Sequence, residues 1–130
     1  EQGVDLVFKS FERMIGGEIF FPKIPSIRII DLATAMGPDL GIHVVGRRPG
    51  EKIDEVMCSK DDAHLTLAFA DHYVIQPAFR FFEKDANYSK NQLGEVGGSV
   101  PRDFEYNSGS NDHYLSVQEI AATNRLEGFT

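Results

Sequence analysis

The 130-residue sequence holds a single cysteine, Cys58, so no internal disulfide can form and a reducing compartment is expected. It is short of basic charge: 13 Lys and Arg stand against 20 Asp and Glu, a formal net charge of −7. Phosphate-backbone binding relies on clustered cations, so nucleic acid is not an expected partner. No apolar run approaches the ~20 residues of a bilayer span, and no secretory leader pattern opens the sequence. The expectation is a soluble, cytoplasmic chain with no membrane partner. His43, His64, His72 and His113 never stand at metal-ligand spacing with a cysteine, so no metal site is expected. An initiating methionine is missing too. Glu1-Gln2-Gly3 runs directly into an amphipathic pattern, which predicts a piece of a longer protein; a processed N-terminus is the other reading.

Two further absences concern nicotinamide chemistry. Gly94-Glu95-Val96-Gly97-Gly98 does not match a dinucleotide fingerprint and lacks the strand before it and the helix after it, so it is read as a loop. Tyr73, Tyr88, Tyr106 and Tyr114 are followed four residues on by Pro77, Gln92, Ser110 and Gln118. The Tyr-x-x-x-Lys pair used for proton transfer and cofactor anchoring is therefore not here.

What is present suffices for one domain. Apolar residues make up 42% and charged residues 25%, the proportions of a globular protein with its own core. Val4, Val7, Phe8, Phe11, Met14 and Ile15 recur at helical spacing, and Gly16-Gly17 form a stop. Glu18 to Pro22 reads as a strand closed by proline. Ser26 is the expected cap of a second helix that ends at Met36-Gly37-Pro38. Ile42 to Val45 reads as a strand, with His43 facing solvent, and Ile53, Val56 and Met57 fit a short helix that includes Cys58, where the thiol is read as packing. Ser59 with Asp62 resembles a capping box, with Asp61-Asp62 as favourable N-terminal charge. Leu65–Phe69 and Tyr73–Gln76 read as strands.

Residues 77–115 differ in texture, with Pro77, Pro101, the charged residues Arg80, Glu83, Lys84, Asp85 and Lys90, and the glycine cluster. They are expected to form a long irregular excursion. Ser116-Val117-Gln118-Glu119 is a capping box that opens a last helix through Asn124. The organisation expected is thus residues 1–76 as an α/β lobe, 77–115 as the excursion and 116–130 as a terminal helix and tail, all in one domain.

Arg47-Arg48-Pro49-Gly50-Glu51 is the most informative stretch for function. It follows an expected strand, where α/β proteins often bind ligands. Pro49 restricts Arg48 to extended backbone, and Gly50 permits a bend that returns Glu51 beside Arg48. An arginine fork suits a diphosphate, and a neighbouring carboxylate suits sugar hydroxyls. Two readings stay open on the residues alone: a nucleotide grip, or a surface turn with an ion pair of little energetic consequence.

Several segments resemble one family. They are Glu1-Gln2-Gly3-Val4, Gly17-Glu18-Ile19-Phe20, Pro22-Lys23-Ile24-Pro25-Ser26, Arg48-Pro49-Gly50-Glu51-Lys52, Val74-Ile75-Gln76-Pro77 and Phe104-Glu105-Tyr106-Asn107-Ser108 through Asn111 to Leu115-Ser116-Val117. In this order they resemble the C-terminal portion of inverting UDP-N-acetylglucosamine 4,6-dehydratases (5-epimerising). The Arg-Pro-Gly-Glu turn is shared by many nucleotide-sugar enzymes; Pro-Lys-Ile-Pro-Ser and Val-Ile-Gln-Pro are more particular to the inverting group.

The resemblance implies an α/β fold, the C-terminal substrate-binding lobe of an extended short-chain dehydrogenase/reductase whose Rossmann domain is not in this sequence. It implies that Arg48 contacts the diphosphate of a UDP-sugar and Glu51 the ribose side. NADP and the catalytic groups would belong to that Rossmann domain, so this chain alone is expected to be inactive. The parent would be a homo-oligomeric lyase making a 4-keto-6-deoxy sugar nucleotide for capsule or flagellin glycan. The alternatives are a retaining 4,6-dehydratase, a UDP-sugar epimerase, or, in another class, a non-enzymatic oligomerisation module.

Overall fold

The computed structural model describes residues 2–79, 86–126 and 128. Arg80, Glu83, Lys84 and Asp85 of the expected excursion lie outside the described residues. The chain divides into two compact units, Glu1–Lys23 with Met57–Glu105 and Ile24–Val56 with Tyr106–Thr130. Helices and antiparallel strands together make the mixed α/β architecture that the periodicities indicate.

The first unit begins with helix α1, Gln2–Arg13. Its inner side is carried by the partly buried Leu6 and Ser10 and the buried Arg13. This spacing is helical, but it is not the apolar face. Val4, Val7, Phe8 and Phe11 are exposed instead, and a groove of about 380 Å³ runs along Leu6, Val7, Phe11, Met14, Ile19 and Phe20. The helix stops where expected. Gly17 adopts φ 84°, and the Glu18 carboxylate accepts the N–H groups of Ile15 and Gly16, each at 2.6 Å.

Four strands form one sheet in this unit: β1 (Ile19–Pro22), β3 (Thr66–Ala68), β4 (His72–Ile75) and β5 (Gly98–Ser99), in the order β1-β4-β3-β5 and antiparallel throughout. Val74 stands opposite both Phe20 and Leu67. Alternation along β4 turns His72 and Val74 inward, and Leu67, Phe69, Val74, Ala86 and Tyr88 form the core with Ile15 and Phe20 packed against it. Gly97 is required by close approach: a Cβ there would fall 2.6 Å from the Phe69 ring. Pro22 ends the edge strand β1, where a missing N–H costs least.

The segment before β3 departs from expectation. Val56–Cys58 is a strand, β2, not a helix; three apolar residues so close together fit either period, and a helix that short does not hold by itself. Lys60–Leu65 is a 3-10 helix in which the Ser59 hydroxyl donates to the Asp62 carboxylate at 2.7 Å rather than capping the backbone by its side chain.

In the second unit, helix α2 (Ile29–Met36) packs against helix α3 (Val117–Leu126). Ser26 does not cap α2. Arg28 occupies the N-cap without a side-chain bond, while Ser26 N donates to His113 O at 2.8 Å and Leu115 N donates to Ser26 O at 3.0 Å. Pairing with a segment far along the chain has displaced the local cap. The capping box of α3 forms as the sequence indicates: the Ser116 hydroxyl donates to Glu119 Oε2 at 2.7 Å, and the Glu119 N–H donates back at 3.4 Å. Ile42–Val45 belongs to no sheet, and Ile42, Val44 and Val45 are exposed; among the described residues nothing ladders with it. A strand without a partner has no hydrogen bonds to hold it as one. Strand β6 (Tyr106–Asn107) completes the elements. Among the described residues no helix is long and apolar enough to cross a membrane.

Candidate functional site

The Arg48–Glu51 turn closes as its sequence dictates. Glu51 N donates to Arg48 O at 3.2 Å, with Pro49 and Gly50 at the two central positions and Gly50 at φ 87°. Proline first and a positive-φ glycine second are the requirements of a type II turn. The Glu51 carboxylate folds back over it. Oε2 accepts the Arg48 N–H at 2.8 Å, and Oε1 lies 3.9 Å from Arg48 Nε.

This arrangement leaves the guanidinium free to act. The Arg48 side chain is 82% exposed and that of Glu51 50% exposed, so their pairing is weak and the planar fork faces solvent. Arg47 is exposed as well. The strand expected before the turn is not formed, so the turn itself, and not a strand register, distinguishes Arg47 from Arg48. Chemically, the turn offers a bidentate cation for an anion and a carboxylate oxygen for a hydroxyl, side by side.

The other candidates fall elsewhere. Cys58 is buried, its Sγ lies 3.3 Å from Thr66 Oγ1, and burial pushes the thiol up, which makes it packing rather than a nucleophile. It sits in a strand, not in the expected helix. His43 is exposed in the unladdered segment, and His64 Nδ1 contacts Asp61 O at 2.8 Å. Among the described residues no group of three or more His, Cys, Asp or Glu side chains gathers to hold a metal. The glycine cluster is split: Gly94 lies in a turn closed on Asn91 O at 3.0 Å, while Gly98 enters β5. It opens no helix among the described residues.

Two networks carry no signal in the residue order. In the first unit, buried Arg13 binds Glu95 through Nε and Nη2, at 2.7 and 3.0 Å, and Asp71 through Nη2 at 3.1 and 3.2 Å. Asp71 also meets His72 Nδ1 at 2.7 Å. His72 is wholly buried and stacked on Phe69 and Phe20, and among the described residues its Nε2 meets no hydrogen-bond partner. In the second unit, the Tyr106 hydroxyl accepts the Ile24 N–H at 2.8 Å and donates to Ile24 O at 2.9 Å. Asn111 Nδ2 donates to the same carbonyl at 2.8 Å and to Ser26 Oγ at 3.0 Å. These contacts join the Ile24-Pro25-Ser26 and Tyr106-Asn107-Ser108 segments, whose order the sequence shows but whose meeting it does not.

Comparison with known proteins gives matches to a family and to individual relatives. Residues 1–77 match the family described as "Polysaccharide biosynthesis protein". A UDP-N-acetylglucosamine 4,6-dehydratase (inverting) of Campylobacter jejuni serotype O:2 is 48% identical over 130 residues, 99% of this chain and 39% of that protein. Its namesake from C. jejuni serotype O:23/36 is 45% identical over the same shares. The chain therefore spans about two-fifths of the length of these curated relatives. The X-ray structure of Pen from Bacillus thuringiensis shares the fold, with a TM-score of 0.73 at 20% identity, over 99% of this chain and 37% of that one.

Proposed function

The chain belongs to the polysaccharide biosynthesis protein family, and we propose that it is the UDP-sugar-binding C-terminal part of a UDP-N-acetylglucosamine 4,6-dehydratase that inverts C5. The observation that carries this reading is the Arg48–Glu51 turn, which holds an exposed arginine fork beside a carboxylate. The near-complete coverage of this chain by two relatives bearing that name supports it.

In this reading Arg48 grips the diphosphate bidentately, and the Glu51 oxygen not committed to the Arg48 N–H accepts a ribose hydroxyl. Fixing the nucleotide half supplies binding energy that holds the sugar where water is lost across C5 and C6 after oxidation at C4. In this reading NADP, which supplies hydride transfer when bound, belongs to the part of the dehydratase that this chain does not span. The exposed apolar side of α1, with Val4, Val7, Phe8 and Phe11, is where the cofactor domain of the same polypeptide would pack. The same reading places the parent in the cytoplasm as a homo-oligomer.

The test is an assay of the complete protein with UDP-N-acetylglucosamine and NADP. A 4-keto-6-deoxy product inverted at C5, read by NMR, is expected. Retention at C5 would assign a retaining dehydratase, a C4 epimer would assign an epimerase, and no product would overturn the reading.

A further inference from the structure

We propose that Ser108 is a positioning residue for the Arg48–Glu51 turn, a role that rests on reading that turn as the nucleotide-sugar site. Ser108 N donates to Glu55 O at 2.9 Å, and Ser108 Oγ accepts the Glu55 N–H at 2.9 Å. One serine thus engages both backbone groups of one residue, fixing the direction of the chain there as well as its place. Glu55 stands four residues after Glu51, so at most about 14 Å of extended backbone separates the clamp from the carboxylate.

The clamp matters because, among the described residues, no such pair of backbone bonds holds the other side of the turn. Among the described residues nothing ladders with the segment leading into Arg48, and its side chains are exposed. The position of the turn is then set from its C-terminal side. Ser108 is itself well held. Asn107 Oδ1 accepts the N–H groups of Gly109 and Ser110 at 2.9 and 2.8 Å, and the Tyr114 hydroxyl donates to Ser108 O. Tyr106 and Asn111, on either side, are fixed to Ile24 by the contacts described above. Gly109 extends the fit: a Cβ there would fall 2.5 Å from Asp54 Cγ and Oδ1, so the bare backbone lies against the residue preceding Glu55.

A site made of exposed side chains binds well only if its backbone is already in place, because any ordering left to the binding step is subtracted from affinity. Ser108 bonds to the backbone of Glu55 and acts on the turn through residues 52–55. Its loss is therefore a loss of binding with the chemical step intact.

Steady-state kinetics of the complete enzyme with UDP-N-acetylglucosamine test this. Ser108→Ala is expected to raise KM by about three- to tenfold, the scale of one hydrogen bond, with kcat within about twofold. Ser108→Thr, which keeps the hydroxyl, is expected to restore most of that loss. Added to Arg48→Ala, Ser108→Ala is expected to raise KM by less than twofold more, since a turn lacking its cation gains little from being held. Should Ser108→Ala fail to fold, Gly109→Ala takes its place; it displaces the Asp54 carboxylate and is expected to raise KM in the same way. An unchanged KM in the variant measured, or a fall in kcat alone, overturns the positioning role while Arg48→Ala still raises KM. An unchanged KM in Arg48→Ala overturns the reading of the turn itself.

Discussion

Arg13 Nε lies 2.7 Å from Glu95 Oε2, a bond between residues 82 positions apart in the chain. The same guanidinium reaches Asp71, so one buried cation at the end of α1 fastens the helix to the β3–β4 hairpin and to the turn that carries Glu95. The apolar face of α1 is exposed, so this ion-pair cluster bears an unusual share of its attachment to the first unit.

Replacing Arg13 with methionine should therefore destabilise the first unit. The Arg13 side chain is 7% exposed, but Asp71 and Glu95 are 53% and 41% exposed and would recover water once the cation is gone. The expected cost is about 1–3 kcal/mol, the range for hydrogen bonds to a charged group, and below that of stranding a fully buried charge. The midpoint of urea unfolding of the complete protein, Arg13→Met against wild type, measures it.

Acid should weaken the same cluster. The hydrogen bond from His72, and then that from Arg13, hold the Asp71 carboxyl down from 3.8 to about 2. Arg13 and then Asn91 hold Glu95 below the ordinary carboxylate range. A carboxyl whose folded pKa lies below its unfolded value stabilises the fold fully above the unfolded value and loses that contribution as pH falls through the folded one. Stability should be level above about pH 5 and decline toward about pH 2. In Asp71→Asn the decline should be shallower, as read from denaturant midpoints across that range.

Arg48 should matter far more than Arg47 to turnover. Arg48→Ala is expected to lower kcat/KM by about 2–4 kcal/mol, and Arg48→Lys to retain only part of that, because the ammonium keeps the charge and loses the fork. Arg47→Ala should change it by less than about 0.5 kcal/mol, as at an ordinary surface site. A larger loss at Arg47 would remove the diphosphate role from Arg48.

Glu51→Gln separates two duties of one carboxylate. The amide oxygen can still accept the Arg48 N–H, so the turn should persist. The other oxygen becomes an NH2 group, so a hydroxyl that it accepted loses its partner. UDP binding to the complete protein should weaken by about 1–2 kcal/mol in calorimetry. Equal affinities would leave Glu51 with the turn alone.

The residues themselves determined whatever depends on near neighbours. The stop of α1 at Gly16-Gly17, the strands at Ile19–Pro22 and His72–Ile75, and the capping box of α3 follow from spacing and local chemistry. The Arg48–Glu51 turn belongs with them, since proline and glycine select its backbone wherever it stands. Tertiary structure decided the rest. Ser26 gave up a helix cap for a pairing with a segment almost 90 residues on, because a backbone ladder satisfies both of its main-chain groups where a cap satisfies one N–H. Ile42–Val45 has the composition of a strand but no neighbour to ladder with, and a strand is a property of two segments. The apolar stripe of α1 shows that it is a helix, but not which side faces in; buried Arg13 settles that, through partners that no local pattern links to it. The hold of Ser108 on Glu55 was unreadable for the same reason: the bonds run to main-chain groups, which every residue has, and only the fold chooses which of them meet.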